Sequence, residues 1–197
     1  MEDTAILLLA AGGSERMRGA DKLLEMIDGE AVLRRQARAA LGAGGPVLVC
    51  LAPNRPERKK ALQGLAVRHV TVGDAAEGMA ASIRAGVAAL PDGVPGVAIL
   101  PADMPEITGP DLAAVLAVFR RHPHSAVRAT ADSGAAGHPV VFPARLFGAL
   151  LALKGDQGAR AVLAGEKVFP VVLPENHATT DLDTPEDWAK WRAARQP

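Results

Sequence analysis

The order of apolar runs and helical spacings in this 197-residue chain predicts a three-layer α/β/α fold built on a mostly parallel sheet. Short apolar runs with β-branched residues recur through its first half, and segments with helical spacing lie between them. Strands joined by crossover helices run parallel, and right-handed crossovers place helices on both sides of the sheet. The first run, Thr4 to Leu9, reads as a strand. Val47 to Leu51, Val67 to Val72 and Val97 to Leu100 repeat it, and all four are expected to be buried on both faces. Ala31 to Leu41, Met79 to Leu90 and Asp111 to Arg121 carry helical spacing, and Arg55 to Leu65 carries it less clearly.

The pattern changes after Arg121. Ser125 to Thr130 and His138 to Phe142 read as shorter strands around the polar turn Asp132-Ser-Gly-Ala-Ala-Gly137, an elaboration on the substrate side. Two short helices, near Arg145 to Leu151 and Gly158 to Leu163, precede a strand at Val168 to Leu173 and a final helix from Pro185 to about Arg195. Thr184 is the expected N-cap of that helix, with Pro185 at its first position and acids in its first turn. No repeat or linker divides the chain, so residues 1–197 are expected to form one domain.

Composition narrows the function. Hydrophobic residues at 49% and charged residues at 22% describe a globular chain rather than a disordered or fibrous one. Twenty-two basic residues balance twenty-two acidic ones, and two tryptophans without any tyrosine leave little to stack on bases. Nucleic acid is therefore not an expected partner; small molecules are. The single cysteine, Cys50, lies in the run Val47 to Leu51 and reads as a core thiol. With no internal disulfide possible, an acidic Glu2-Asp3 start and an apolar stretch too short to span a bilayer, the expected location is cytoplasmic, with no membrane partner.

The chemistry concentrates after the first strand, in Leu9-Ala10-Ala11-Gly12-Gly13-Ser14, followed by Arg16, Arg18 and Lys22. A loop of small residues at a strand's carboxyl end brings backbone N–H groups close to phosphates, and the cations add charge. A plain chain reversal needs the same glycines, so the loop alone decides nothing. It has neither the G-x-G-x-x-G of a dinucleotide fold nor the G-K-[ST] ending of a P-loop. Asp103 follows the strand Val97 to Leu100 between Pro101 and Pro105, where a carboxylate binds a hard cation or caps a turn. Capping explains Thr184 to Asp187 but not Asp181 or Asp183. Gly78 and Ser82 open a helix, and His138 precedes Pro139 in a Gly-His-Pro turn that could contact a second substrate. Arg34, Arg35 and Arg38 read as a solvated helix face, and the residues alone assign no role to Arg160.

Taken together, Leu9-Ala-Ala-Gly-Gly-Ser-Glu-Arg-Met17 with Lys22-Leu-Leu24 closely resembles the signature of nucleotidyltransferases with a glycosyltransferase-A-like fold. Gly78-Met-Ala-Ala-Ser-Ile-Arg84, Leu100-Pro-Ala-Asp-Met-Pro105, Gly137-His-Pro-Val-Val-Phe142, Gly155-Asp-Gln-Gly-Ala-Arg160 and Asp181-Leu-Asp-Thr-Pro-Glu-Asp187 extend the likeness along the chain, most closely to the molybdenum cofactor cytidylyltransferases. The resemblance implies the Rossmann-like fold of nucleotide-diphospho-sugar transferases. It also implies transfer of CMP from CTP to a molybdopterin-type cofactor, releasing pyrophosphate, with a client molybdoenzyme as a possible partner. By resemblance Asp103 is a Mg²⁺ ligand, a polar residue before the last helix completes the metal site (Asp183 preferred to Asp181), and Gly78 and Ser82 lie beside the base. Lys22 and Arg16 then neutralise the triphosphate, and Leu-Ala-Ala-Gly in place of Leu-Ala-Gly-Gly points to CTP over GTP. A phosphate acceptor is already an oxyanion at neutral pH, its second pKa lying at about 6, so no general base is needed. The alternatives are transfer to a sugar phosphate, a non-catalytic cofactor carrier, and a dinucleotide-dependent oxidoreductase, which the missing glycines disfavour.

Overall fold

A computed structural model describes residues 3–155 and 157–195; Glu2 and Asp156, both used in the sequence reading, lie outside the described residues. Strand β1 (Ala5–Ala10) is followed by the hairpin strands β2 (Met26–Ile27) and β3 (Glu30–Ala31), helix α1 (Val32–Ala43), β4 (Val47–Leu51), α2 (Pro56–Ala61) and β5 (Arg68–Thr71). Helix α3 (Met79–Ala88), β6 (Gly96–Pro101), α4 (Gly109–Arg121), β7 (Ala126–Thr130) and β8 (Ala136–Pro143) come next, then α5 (Phe147–Leu151), β9 (Val168–Val172) and α6 (Pro185–Ala194). Among the described residues the main sheet has seven strands in the order β5-β4-β1-β6-β8-β7-β9. All neighbours pair in parallel except at β8, which is antiparallel to both β6 and β7.

The period of two along β1 explains the layers. Ile6, Leu8 and Ala10 join the core cluster under α1, α4 and α6, whereas Ala5 and Leu7 join the cluster under α3 and α5. Helix α4 answers with Leu112, Val115, Leu116 and Phe119 at i, i+3, i+4 and i+7, all buried. Each such side chain contributes roughly 1.5–3 kcal/mol by leaving water, more than any single surface ion pair supplies. Both α4 and α6 begin with a capping box, Thr108 with Asp111 and Thr184 with Asp187, and the second is the predicted cap.

Several expectations are corrected. Val67 to Val72 is not buried on both faces: β5 is the sheet edge, and only Val70 of its four residues is buried. The Arg55 to Leu65 segment yields a helix of only six residues, and Gly158 to Leu163 yields a 3-10 helix. Gly137-His138-Pro139 is not a turn. It lies within β8, because the polar loop before it closes by Ala135, whose carbonyl accepts from Ala131 N–H at 2.9 Å.

Candidate active site at the strand switch point

The chain crosses from β1 to β4 on one side and from β5 to β6 on the other, so the connections diverge on either side of β1. A crevice opens at the carboxyl ends of strands where order reverses in this way. A cavity of about 730 Å³ lies there, walled by the loops after β1, β4 and β6 and by the start of α3. Of the predicted residues, Leu9, Ala11, Gly12 and Gly13 line it from the first loop. Lys22, Asp103, Gly78 and Ser82 complete its wall. Ser82 is buried rather than solvent-facing.

The loop after β1 is held by a residue that sequence reasoning missed. Arg58, fully buried on the short helix α2, uses its whole guanidinium: Nε and Nη2 donate to the two Asp21 oxygens at 2.7 and 2.8 Å, and Nη2 to Ser14 Oγ at 2.9 Å. Nη1 donates to the carbonyls of Ala10 at 2.7 Å and Gly12 at 2.8 Å, while Arg55 donates to the carbonyl of Gly13. A trans peptide points its C=O and N–H in opposite directions. Drawing these three carbonyls onto arginines therefore turns the N–H groups of Ala11, Gly13 and Ser14 the other way, and no backbone or side-chain acceptor among the described residues takes them. A run of free N–H groups is the geometry that receives an anion. Ser14 reaches it with φ 57°, in the left-handed region, and its hydroxyl is held by Arg58 and Asp21. Burial alone would raise the Asp21 carboxyl, but the hydrogen bonds and charge of Arg58, with Leu23 N–H and Arg55, bring it below its ordinary value. Ala10, predicted as a contact, turns its side chain into the core and takes part only through this carbonyl.

Opposite the loop, charges alternate. Lys22 Nζ donates to Asp103 Oδ2 and, at 2.7 Å, to Asp183 Oδ1, and the far oxygen of Asp183 pairs with Arg16 at 2.7 Å. Residues 22, 103 and 183 thus converge from three distant parts of the chain. Burial lowers the Lys22 pKa, but the charges and hydrogen bonds of Asp103 and Asp183 more than reverse it, leaving a firmly protonated ammonium. Asp103 Oδ1 is buried without a hydrogen-bond partner. A carboxylate with one orphaned oxygen beside a second carboxylate fits a hard divalent cation, which binds through one or two carboxylates together with substrate phosphates. Asp181 feels both neighbours: burial first, then Asp183 and Asp103, raise its carboxyl above the ordinary value, whereas Asp183 makes the ion pairs.

The far side is framed by β8. Its position 137 admits only glycine, because a Cβ there would lie 1.9 Å from the Ala178 carbonyl, which accepts from His138 N–H at 2.8 Å. Leu182 N–H donates to the Asp103 carbonyl at 3.3 Å, so the strand carrying His138 and the segment carrying Asp183 are tied to one frame. Cys50 is inert, its thiol pushed up to about 12 by burial and donating to the Ser82 carbonyl at 3.2 Å. Arg34 departs from the solvated-face reading by donating to the carbonyls of Ala61 and Gln63. No helix among the described residues is long and apolar enough to cross a membrane.

Comparison with known proteins shows the family and the fold. Residues 6–171 match the family model of the MobA-like NTP transferase domain. The chain is 31% identical to the purine catabolism protein PucB of Bacillus subtilis, with 95% of each chain covered. Among solved structures it is similar to Rv0371c of Mycobacterium tuberculosis, with 25% identity, 96% and 97% of the two chains covered and a TM-score of 0.81. Rv0371c has also been solved in complex with manganese, at 21% identity and a TM-score of 0.78 over 96% and 97% of the chains. Molybdopterin-guanine dinucleotide biosynthesis protein A of Archaeoglobus fulgidus shares the fold, with a TM-score of 0.70 at 13% identity and 98% and 100% covered.

Proposed function

The chain belongs to the MobA-like NTP transferase family and is a nucleotidyltransferase, and from that premise we propose that it transfers CMP from CTP to the phosphate of a molybdopterin-type cofactor. The observation that carries this reading is the pairing, in one cavity, of outward-turned loop N–H groups with Lys22 and Asp103, to which Asp183 is joined through Lys22. The loop holds the β- and γ-phosphates, and Arg16 and Lys22 offset their charge. Asp103 and Asp183 would hold Mg²⁺, which when bound neutralises phosphate charge and polarises the α-phosphorus. An oxygen of the acceptor phosphate attacks that phosphorus. A new phosphoanhydride bond forms, the α–β bond breaks, and pyrophosphate leaves with the bonding electrons. The acceptor is already deprotonated at neutral pH, so these residues act by alignment and electrostatics alone. The manganese complex of Rv0371c supports a divalent cation in this reading, and the molybdopterin-linked name of the Archaeoglobus protein supports the acceptor.

CTP rather than GTP rests on Ala11, whose buried methyl lines the cavity where the loop leaves β1. Incubation with each of four nucleoside triphosphates, Mg²⁺ and molybdopterin, followed by mass analysis, tests the proposal. A CMP adduct with matching pyrophosphate is expected. A GMP adduct instead removes the cytidylyl assignment, and no adduct with any nucleotide removes the acceptor.

A further inference from the structure

We propose that Arg128 and Arg160, with His138 beside them, form an oxyanion subsite that takes the phosphate of the acceptor. The inference rests on the reading of the chain as a transferase to a phosphorylated acceptor and names residues for the half of the reaction left without any.

Charge accounting leads to it. The buried and half-buried cations Lys22, Arg58 and Arg84 have carboxylates: Lys22 has Asp103 and Asp183, Arg58 has Asp21, and Arg84 has Glu77. Arg128 lies inside β7, opposite Val140 of β8, and is half-buried, yet it has no ion pair among the described residues; Arg160, which is exposed, has none there either. Its one hydrogen bond runs from Nε to the Gly137 carbonyl at 3.2 Å, which leaves both Nη groups to donate elsewhere. A partly desolvated guanidinium without an anion is costly, and this one also feels a like charge: burial first, then Arg160, lowers its pKa. His138, one residue from that carbonyl, has a buried Nδ1 with no partner; burial and then Arg128 lower its pKa, against a hydrogen bond to the Ile99 carbonyl. Two neighbouring cations are satisfied together by an oxyanion.

The position suits the acceptor. The run carrying Arg160 is docked on the start of α3, where Ala80 N–H donates to the Gly155 carbonyl at 3.2 Å and Gly155 N–H to Glu77 at 3.1 Å. Gly158 lies beside Met79, a cavity-wall residue, whose sulfur would be in ordinary contact with a Cβ there, at 3.4 Å. The charge of Asp103 also reaches His138, so the basic group stands on the β8 side of the metal-ligand candidate, across from the loop of β1.

Two measurements separate this subsite from the acceptor's identity and from the triphosphate. In the first, inorganic phosphate is titrated into protein whose nucleotide site is filled by a non-hydrolysable CTP analogue, and the arginine Nε–H resonances are followed. A selective shift of the Arg128 signal is expected in the wild type and loss of phosphate binding in R128Q; an unmoved signal overturns the subsite. In the second, R128Q and R160Q are assayed with molybdopterin. The acceptor KM should rise roughly tenfold or more, as for loss of one charge-assisted hydrogen bond, with the CTP KM unchanged and R128K intermediate. A rise in the CTP KM instead assigns these arginines to the triphosphate and overturns the proposal. A phosphate-dependent shift in a wild-type enzyme that does not turn over molybdopterin keeps the oxyanion site and rejects only that acceptor.

Discussion

Arg58→Lys tests whether the nucleotide loop is built by a side chain outside it. The guanidinium makes five hydrogen bonds, to Ala10, Gly12, Ser14 and both oxygens of Asp21. A lysine offers donors from a single atom and cannot span the carboxylate and the two carbonyls. If two hydrogen bonds are lost, at about 1.5 kcal/mol for the weaker bonds to a charged group, stability falls by about 3 kcal/mol. That matches the low end of the cost of breaking a buried ion pair, about 3–5 kcal/mol. For a chain of this size the melting temperature should drop by about 6–12 °C. Function should fall too, because released carbonyls let the N–H groups of Ala11, Gly13 and Ser14 turn away from phosphate. Losing one such bond raises the nucleotide KM about tenfold. Thermal denaturation with steady-state kinetics measures both, and Asp21→Asn should be non-additive with Arg58→Lys. An R58K enzyme with wild-type melting temperature and nucleotide KM would refute the argument.

Asp103→Ala should keep the fold and lose nearly all turnover, since it removes the carboxylate with the orphaned oxygen; a third of the wild-type rate would dispose of the assignment. The CTP preference over GTP, compared as kcat/KM, should be roughly 10- to 200-fold, the worth of one methyl in a pocket, and Ala11→Gly should relax without inverting it. Equal values for the unmodified enzyme would sink the cytidylyl reading. Asp21 has a folded pKa below its ordinary 3.8, so its stabilisation is complete above that pH and disappears as pH falls through the lowered value. Acid unfolding curves should therefore converge for wild type and Asp21→Asn at low pH and separate above about pH 4. Cys50 should resist alkylation at pH 8 until the chain unfolds, its thiol lying near 12; rapid native labelling would contradict its burial.

All seven strands of the main sheet were legible as apolar runs, and Val47–Leu51 coincides with its expected limits. The edge position of Arg68–Thr71 was not legible, since Val67 to Val72 is as apolar at its ends as a central strand and only the sheet order exposes it. His138 to Phe142 was legible as a strand, but its start at Ala136 and its antiparallel direction were hidden, because a Gly-His-Pro string reads as a turn wherever strand pairing is unknown. In the site, Lys22, Asp103 and Asp183 were readable from ordered motifs, although their meeting depends on contacts across 81 and 161 residues. Arg58 left no such trace. The helix Pro-Glu-Arg-Lys-Lys-Ala is polar all round, with no apolar face to set its phase, and three adjacent cations look equally solvated until the loop of β1 is laid over one of them. Asp21 beside the Lys-Leu-Leu motif was the available clue that a buried cation was needed.

The two ties on the segment before α6 make it behave as a transmission. Ala178 is clamped to His138 on β8, with no slack at Gly137, and Leu182 is clamped to the backbone of Asp103. Asp183 is the next residue, so its carboxylate takes its place from β8 and β6 rather than from the helix it precedes. Only the stretch from Ala178 to Leu182 separates the β8 tie from the residue before Asp183. The position of that carboxylate is therefore set jointly by β8 and β6.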